Sequence, residues 1–175
     1  MAAAIGIIAR QGLDAPTALI AKEAGVANGS LFNYFETKGD LFNQLYLELK
    51  SEVASAAIDD IDLASDLRQQ TFHAWSRWMN WAVSYPEKRK ALSQLSVSEE
   101  ITDASRASAH QSLAGVVDLI ARVCANGPLQ DERMSFVIAV LESLAGTTMD
   151  FMIQYPDEAE QRCEAGFAML WKALS

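Results

Sequence analysis

The stretch that decides the fold is residues 17–38, TALIAKEAGVANGSLFNYFETK. Two short helical patterns lie on either side of Gly25, a residue that tolerates the positive φ often needed in a tight turn. Ile20 and its neighbouring alanines let the first helix pack closely. Leu31 and Phe35 lie four residues apart, on one face of the second helix. The pattern predicts a helix-turn-helix.

Within this stretch, Val26 is expected to fill the junction, and Asn28 or Gly29 to cap the second helix. An α-helix fits the DNA major groove and reads base edges there through its N-terminal side chains. Asn33 is the best hydrogen-bonding base reader. From spacing alone, however, an ordinary helical hairpin with exposed polar groups explains the stretch equally well.

Contacts to the DNA backbone are predicted from the same surface. Ser30, Tyr34 and the backbone amides at the helix start suit phosphate oxygens. Lys38 begins the next helix and places a cation beside the same face. The predicted surface therefore combines base-reading and phosphate-binding groups.

The rest of the chain shows helical periodicity and no alternating strand pattern. Leu41, Leu45, Leu49 and Val53 recur every four residues and begin a long helix. Other helices are expected at residues 2–10, 66–84, 87–97, 102–125, 131–155 and 157–174, with breaks at Gly, Pro and Asn. The predicted fold is all-α, with an N-terminal helix-turn-helix module and a C-terminal antiparallel helical domain.

The charge of the chain is uneven. The 175 residues carry a net charge of −9, which argues against non-specific coating of nucleic acid. Residues 1–50 hold four Lys and Arg against five Asp and Glu, so the remainder carries −8. The acidity belongs to the C-terminal part, where it favours cationic ligands and repels stray DNA.

The residue inventory favours a binding protein over an enzyme. His73 and His110 lack the Glu-x-x-His spacing of di-iron bundles, and no phosphate loop, dinucleotide fingerprint or zinc spacing appears. We therefore predict no catalysis, no metal and no cofactor. Cys124 and Cys163 are interpreted as reduced, buried thiols. No segment is expected to span a membrane, and a cytoplasmic location is the default.

Residues 17–41 resemble the DNA-binding region of TetR-family repressors. The matching positions are Thr17, Ile20, Ala21, Ala24, Gly25, Val26, Gly29, Ser30, Leu31, Phe32, Tyr34, Phe35, Lys38 and Leu41. The resemblance implies that Thr17, Ser30, Tyr34 and Lys38 grip phosphates. It places Ala27, Asn28 and Asn33 nearest the bases, with Gly29 and Phe32 in the same surface.

Three departures from the family pattern affect the DNA-binding part. The family usually has Thr where this chain has Ser30, and Ser30 keeps the hydroxyl. The family usually has Tyr where this chain has Phe32, and Phe32 loses one phosphate contact. Its first helix normally begins earlier, after a basic arm, so either the start is truncated or the binding region is short. The alternative function is therefore a helical small-molecule sensor or scaffold that has lost DNA binding.

The resemblance divides the chain into a DNA-binding domain, residues 1–46, and a ligand-binding and dimerisation domain, residues 47–175. The second part resembles RamR-type repressors of multidrug-efflux control. The matching segments are residues 78–81, 85–86, 94–99, 147–151 and 166–171. This likeness implies a ligand-responsive repressor that an effector releases from DNA.

An aromatic stripe on the helix at residues 66–84 suggests a pocket for an aromatic or cationic effector, although such stripes are more often core. Met149 and Phe151, with Met152 and Tyr155, are expected to close the opposite wall. Asp150 is a polar handle or merely a solvated carboxylate. The candidate ligand-binding residues are Tyr46, Lys50, Trp78, Trp81, Met149, Asp150 and Phe151.

The last two helices are the predicted homodimer surface. One apolar stripe there would be left uncovered in a monomer. It consists of Cys163, Phe167, Leu170, Trp171 and Leu174. Gly146 and Gly166 are expected to allow close helix approach. Dimerisation would set two reading helices about 34–36 Å apart and predicts a palindromic double-stranded DNA operator.

Overall fold

The computed structural model describes residues 1–175 and contains helices and no strands. The helices are α1 Ala2–Gln11, α2 Thr17–Glu23, α3 Asn28–Leu31, α4 Lys38–Ile58, α5 Leu67–Ser84, α6 Pro86–Ser96, α7 Asp103–Ser112, α8 Ala114–Cys124, α9 Met134–Gln154 and α10 Ala159–Leu174. A 3-10 turn, Pro156–Glu158, precedes α10. The predicted all-α fold class is confirmed.

Three helix boundaries differ from the prediction. The single helix expected at 102–125 is two helices, because the backbone at Leu113 leaves the helical region. The second helix of the predicted helix-turn-helix, expected to carry both Leu31 and Phe35, is only one turn, α3, followed by turns around Phe32. The last helix begins after a 3-10 turn because Pro156 has no N–H with which to continue the preceding helix.

One compact unit comprises residues 1–52 and 85–112. Its core is built on the apolar face of α4, where Leu41, Phe42, Leu45 and Leu49 are buried. The amide of Gln94 on α6 donates to the backbone oxygen of Ile8 on α1 at 3.3 Å. Ion pairs join α1 to α2 through Arg10 and Glu23 (2.9 Å), and α6 to α4 through Lys88 and Glu52 (2.7 Å).

The other compact unit comprises residues 53–84 and 113–175. In it α5 packs against α8, α9 and α10. Gly166 on α10 makes this packing possible, because a methyl group there would lie 2.6 Å from Thr148 Oγ1 and 2.9 Å from the indole of Trp75. This division in space does not test the functional boundary between residues 46 and 47, which stays a prediction.

Helix α9 is the most apolar long helix in the chain. By length and composition Met134–Gln154 could cross a membrane, whereas the sequence pattern predicts no membrane-spanning segment. Its two charged residues, Glu142 and Asp150, are both exposed. Only 33% of the apolar window is buried. A core helix of a soluble protein meets the same test, and here the burial is one-sided.

Candidate nucleic-acid interface

The turn between α2 and α3 is fixed by a Schellman motif. The N–H of Val26 donates to the oxygen of Ala21 (3.0 Å), and the N–H of Gly25 donates to the oxygen of Lys22 (3.1 Å). Gly25 has φ +70°, the left-handed conformation that the motif requires. The glycine therefore ends α2 and redirects the chain into α3, as the sequence predicts.

The start of α3 differs from the expectation. Ala27 is the N-terminal capping residue, and no side chain bonds to the first amides of α3. The cap predicted from Asn28 or Gly29 is therefore wrong, because both residues already lie inside the helix. Val26 was expected to fill the junction, but it is 44% exposed. The bonds of its backbone, not the packing of its side chain, close the turn.

The predicted DNA-contacting residues form an exposed surface on this unit. Tyr34 is 82% exposed and Phe32 is 42% exposed. Thr17, Ser30 and Lys38 are half-buried. Ala27, Asn28, Gly29 and Asn33 are exposed. Leu31 beneath them is buried and anchors α3 to the core.

The start of α4 is stabilised by reciprocal bonds between Thr37 and Asp40. The Asp40 carboxylate accepts from the N–H (2.9 Å) and hydroxyl (2.8 Å) of Thr37, whose hydroxyl oxygen accepts from the N–H of Asp40 (3.0 Å). This arrangement satisfies orphan amides of the first turn. The ammonium of Lys38 lies 5.4 Å from the centre of the Phe42 ring.

Sequence reasoning missed a contact one turn further along α4. The side chain of Asn43 bonds to the backbone of residues 100 and 102, more than fifty positions away. Asn43 lies outside residues 17–41, on which the sequence resemblance rests, and its partners are a carbonyl and an amide that every residue possesses. No sequence signal could therefore have found this contact.

The candidate ligand residues of the second unit have different surroundings. Trp78 is half-buried and packs against a buried cluster of Ala57, Ala74 and Leu119. Trp81 and Met149 are buried. Asp150 and Phe151 are exposed.

The four residues expected to form one pocket wall lie on two faces of α9. Met149 and Met152 point into the core. Phe151 and Tyr155 lie outside, with ring centroids 6.0 Å apart. The expectation of a single wall is wrong, because residues 149 and 151 project from nearly opposite sides of a helix.

Two further ligand candidates, Tyr46 and Lys50, lie on α4 within the first unit. Tyr46 is buried at 5% exposure, and the Lys50 ammonium lies 5.9 Å from the centre of its ring. They are neighbours one turn apart, as predicted.

The stripe predicted to form the dimer surface is covered within the chain itself. Cys163, Phe167, Leu170 and Leu174 are at most 7% exposed, and Trp171 is half-buried. The Phe167 ring meets Phe72 edge-on at 4.9 Å. Placing this stripe on the outside of a monomer was wrong, because α5, α8 and α9 all pack against α10.

The two thiols lie in the second unit and are buried. Burial raises the pKa of Cys124 above its ordinary value. Burial also raises the pKa of Cys163, where a hydrogen bond from Trp75 acts in the opposite direction. Both thiols therefore stay protonated near neutral pH, which makes them poor nucleophiles.

Two short helices joined by a tight turn, the second of them exposed, form a helix-turn-helix, a motif in which the second helix lies in the DNA major groove. Residues 1–45 match the family model described as "Bacterial regulatory proteins, tetR family". The whole chain has the TetR fold, with an N-terminal helix-turn-helix and a C-terminal helical domain. The sequence-based resemblance to TetR-family regulators is supported by this match and by solved structures.

Three solved structures illustrate the likeness. A protein from Shewanella sp. PV-4 assigned to the tetR family of transcription regulators is 29% identical, with a TM-score of 0.88; the match covers 99% of this chain and 94% of that one. A tetR-family regulator from Marinobacter aquaeolei VT8 is 20% identical (TM-score 0.82; 99% and 92%).

The fatty acid degradation regulator FadR from Bacillus halodurans is 16% identical (TM-score 0.74; 99% and 93%). The matching family and these neighbours are transcription regulators, which are not enzymes. This agrees with the absence of a catalytic constellation in the sequence.

Proposed function

We propose that the protein is a dimeric transcriptional repressor that binds a palindromic operator in the major groove and is released by a small-molecule effector. The observation that carries the DNA-binding part is the exposed surface of residues 27–34, held by the turn at Gly25. Its polar side chains point toward solvent, whereas Leu31 is buried beneath them. Repression of bacterial genes places the protein in the cytoplasm.

In this proposal the side chains divide into two kinds of contact. Asn33 and Asn28 read base edges, and Ala27 leaves room for a close approach to the groove. Thr17, Ser30, Tyr34 and Lys38 bind phosphates, which fix the register of the protein on the duplex.

Selection of operator sequences from random DNA, followed by electrophoretic mobility shift, tests the DNA-binding part. We expect an inverted-repeat site, and binding that weakens steeply as salt rises. The double variant Ser30→Ala, Lys38→Ala should weaken binding on every sequence, because it removes phosphate contacts. A failure of the wild type to enrich any sequence would refute the proposal and leave the alternative, a helical small-molecule sensor.

For the dimer we propose the outward face of α9, supplemented by α10, in place of the covered stripe. Phe136 (52% exposed), Val140 (43%) and Phe151 (46%) lie along one side of α9, and Met169 (62%) lies on α10. Beside them, a methyl group on Gly146 would meet nothing within 4 Å in this chain. Soluble chains rarely leave so long an apolar face open, so two copies joined by a two-fold axis are the occupants that fit it.

For the effector we propose an aromatic or cationic small molecule, in keeping with the resemblance to RamR-type repressors. The second unit carries thirteen Asp and Glu against six Lys and Arg, a charge that favours cations. The aromatic side chains of α5 supply stacking partners.

Calorimetry with a panel of aromatic cations tests the effector, using Trp81→Ala and Trp78→Ala on α5 as variants. Both variants should weaken binding of the ligand while operator affinity is retained. Ligand affinities equal to that of the wild type would remove these residues from the site.

A further inference from the structure

We propose that Asn43 is a positioning residue for DNA binding. Its side-chain amide holds the first turn of α4, and with it Lys38, against residues 98–102, the connection that precedes α7. The inference rests on the proposed function, in which Lys38 binds a DNA phosphate. All the groups concerned lie in the same compact unit, residues 1–52 and 85–112.

The carboxamide of Asn43 uses both of its ends. Its nitrogen donates to the backbone oxygen of Gly39 (2.8 Å) and to that of Glu100 (2.7 Å). Its oxygen accepts from the N–H of Thr102 at 2.9 Å, and the Thr102 hydroxyl lies 3.2 Å from it. Both donor hydrogens therefore have partners, one on the first turn of α4 and one on the connection.

The connection is itself held from its other side. The guanidinium of Arg106 donates to the backbone oxygens of Ser96 and Ser98, at 2.9 Å each. Thr102 caps α7, accepting from the N–H of Ser105 at 3.2 Å, and Ile101 is 4% exposed. Residues 98–102 are thus held in place, and the hydrogen bonds of Asn43 link the first turn of α4 to them.

The first turn of α4 does not need Asn43 in order to be helical. The reciprocal bonds between Thr37 and Asp40 already satisfy the helix start. What Asn43 adds is the placement of that turn relative to the rest of the unit. Phosphate contacts are sensitive to placement, because a charge-assisted hydrogen bond weakens steeply with distance and angle.

Position 43 requires a side chain that donates to two carbonyl oxygens and accepts from an N–H, and a carboxamide does both. Aspartate has the same shape but no donor, so Asn43→Asp would set a carboxylate against the carbonyl oxygens of Gly39 and Glu100. Gln44 offers a matched control, because it is exposed and lies next along the helix. Gln44→Glu changes the net charge by the same amount and breaks none of these bonds.

The experiment measures operator affinity against salt for the full chain and four variants: Asn43→Asp, Asn43→Ala, Gln44→Glu and Lys38→Gln. We expect the two Asn43 variants to bind about tenfold more weakly, since the first turn of α4 loses its hydrogen-bonded link to residues 98–102 and Lys38 loses its placement. The slope of log affinity against log salt should fall by about two for Lys38→Gln, one for each protomer of the dimer, and by a similar amount for both Asn43 variants. Gln44→Glu should keep the wild-type slope.

Hydrogen exchange on the free proteins provides a second measurement. Exchange should accelerate together at residues 38–43 and 98–102 in both Asn43 variants, while the second unit keeps its wild-type protection. Circular dichroism identifies the temperatures at which each variant is folded. Asn43→Ala, which introduces no buried charge, keeps the test open if Asn43→Asp fails to fold.

Two outcomes would overturn the inference. In one, folded Asn43 variants bind the operator as tightly as the wild type. In the other, they bind weakly with an unchanged salt slope, which would mean a general loss of structure and not a misplaced Lys38. If the wild type itself binds no operator, the proposed function has failed, and the role of Asn43 fails with it.

Discussion

The indole N–H of Trp75 on α5 donates a hydrogen bond of 3.0 Å to the backbone oxygen of Cys163 on α10. Both residues are buried. The bond joins α5 to α10 through two residues that are 88 positions apart in the chain, and it satisfies a carbonyl oxygen inside the second unit. It helps to explain why the apolar stripe of α10 faces inward.

Replacing Trp75 with Phe should lower the free energy of unfolding by about 1–3 kcal/mol, because the Cys163 oxygen loses its side-chain donor and the smaller ring leaves a void. Urea unfolding followed by circular dichroism measures the change. Trp171→Phe is the control, since Trp171 is half-buried and packs on Phe167 without an indole hydrogen bond. Equal losses in the two variants would argue against the hydrogen bond.

Gly25→Ala should destabilise the first unit by about 1–2 kcal/mol, because an L side chain is strained at φ +70°. Space is not the cause, since nothing lies within 4 Å of the added methyl group. Gly29→Ala is the control, at a glycine in α3 with equally open surroundings and no positive φ. Thermal unfolding should show a lower Tm for the first variant only; similar values would contradict the strain.

Glu100→Gln should tighten operator binding about threefold at low salt, because it removes a negative charge beside the start of α4. A methyl group on Gly39 would lie 2.9 Å from Glu100 Oε2, which places this carboxylate against the first turn of α4, beside the residue that follows Lys38.

Glu99→Gln is the matched control for this charge effect. Glu99 and Glu100 are both exposed, and each variant changes the net charge of the chain equally. Binding isotherms by fluorescence anisotropy would separate the two. An equal gain in affinity from both variants would indicate net charge and not the location of Glu100.

Val140→Glu should convert the protein from dimer to monomer, because it places a charge in the centre of the exposed apolar face of α9. Sedimentation velocity over a range of protein concentrations measures the assembly state. Leu63→Glu is the control, on a side chain that is 80% exposed but lies outside α9. If the Val140→Glu variant still forms dimers, the interface does not include this face of α9.

The free energy of unfolding should fall as pH rises above about 8.5, the ordinary pKa range of a cysteine thiol. Burial raises the pKa of both thiols in the folded state. The unfolded chain therefore releases protons first, and the folded state binds more of them in this pH window.

Below this window both states hold the proton, so the thiols add no pH dependence there. Urea unfolding between pH 7 and 10 measures the slope. The double variant Cys124→Ala, Cys163→Ala should show a shallower decline than the wild type. An identical decline would assign the effect to other groups.

Helix positions and the DNA-reading turn follow closely from local sequence. Gly25 is predictable because the left-handed conformation it adopts is a property of the residue itself. Leu31 is predictable as a buried residue because it is the one large aliphatic side chain of residues 27–34, although Phe35, expected on the same helical face, lies beyond the end of α3. In contrast, the link from Asn43 to Thr102 depends on chain segments that meet only after folding.

The apolar residues of the last two helices show the same limit. A helix with apolar side chains on two faces has two possible inner sides, and the sequence does not say which one the chain covers. The sequence pattern predicts that the stripe from Cys163 to Leu174 on α10 forms the dimer surface, yet α5, α8 and α9 cover it. Phe136 and Val140 on α9 are left exposed instead.

Local sequence accounts for the all-helical class, the turn at Gly25 and the resemblance of residues 17–41 to the TetR family, because these depend on local conformation and short spacing. The inward orientation of Phe167 and the bonds from Asn43 to residues 100 and 102 follow from tertiary packing alone. Burial is a property of pairs of elements: a face becomes core only when another segment, distant in the chain, packs against it.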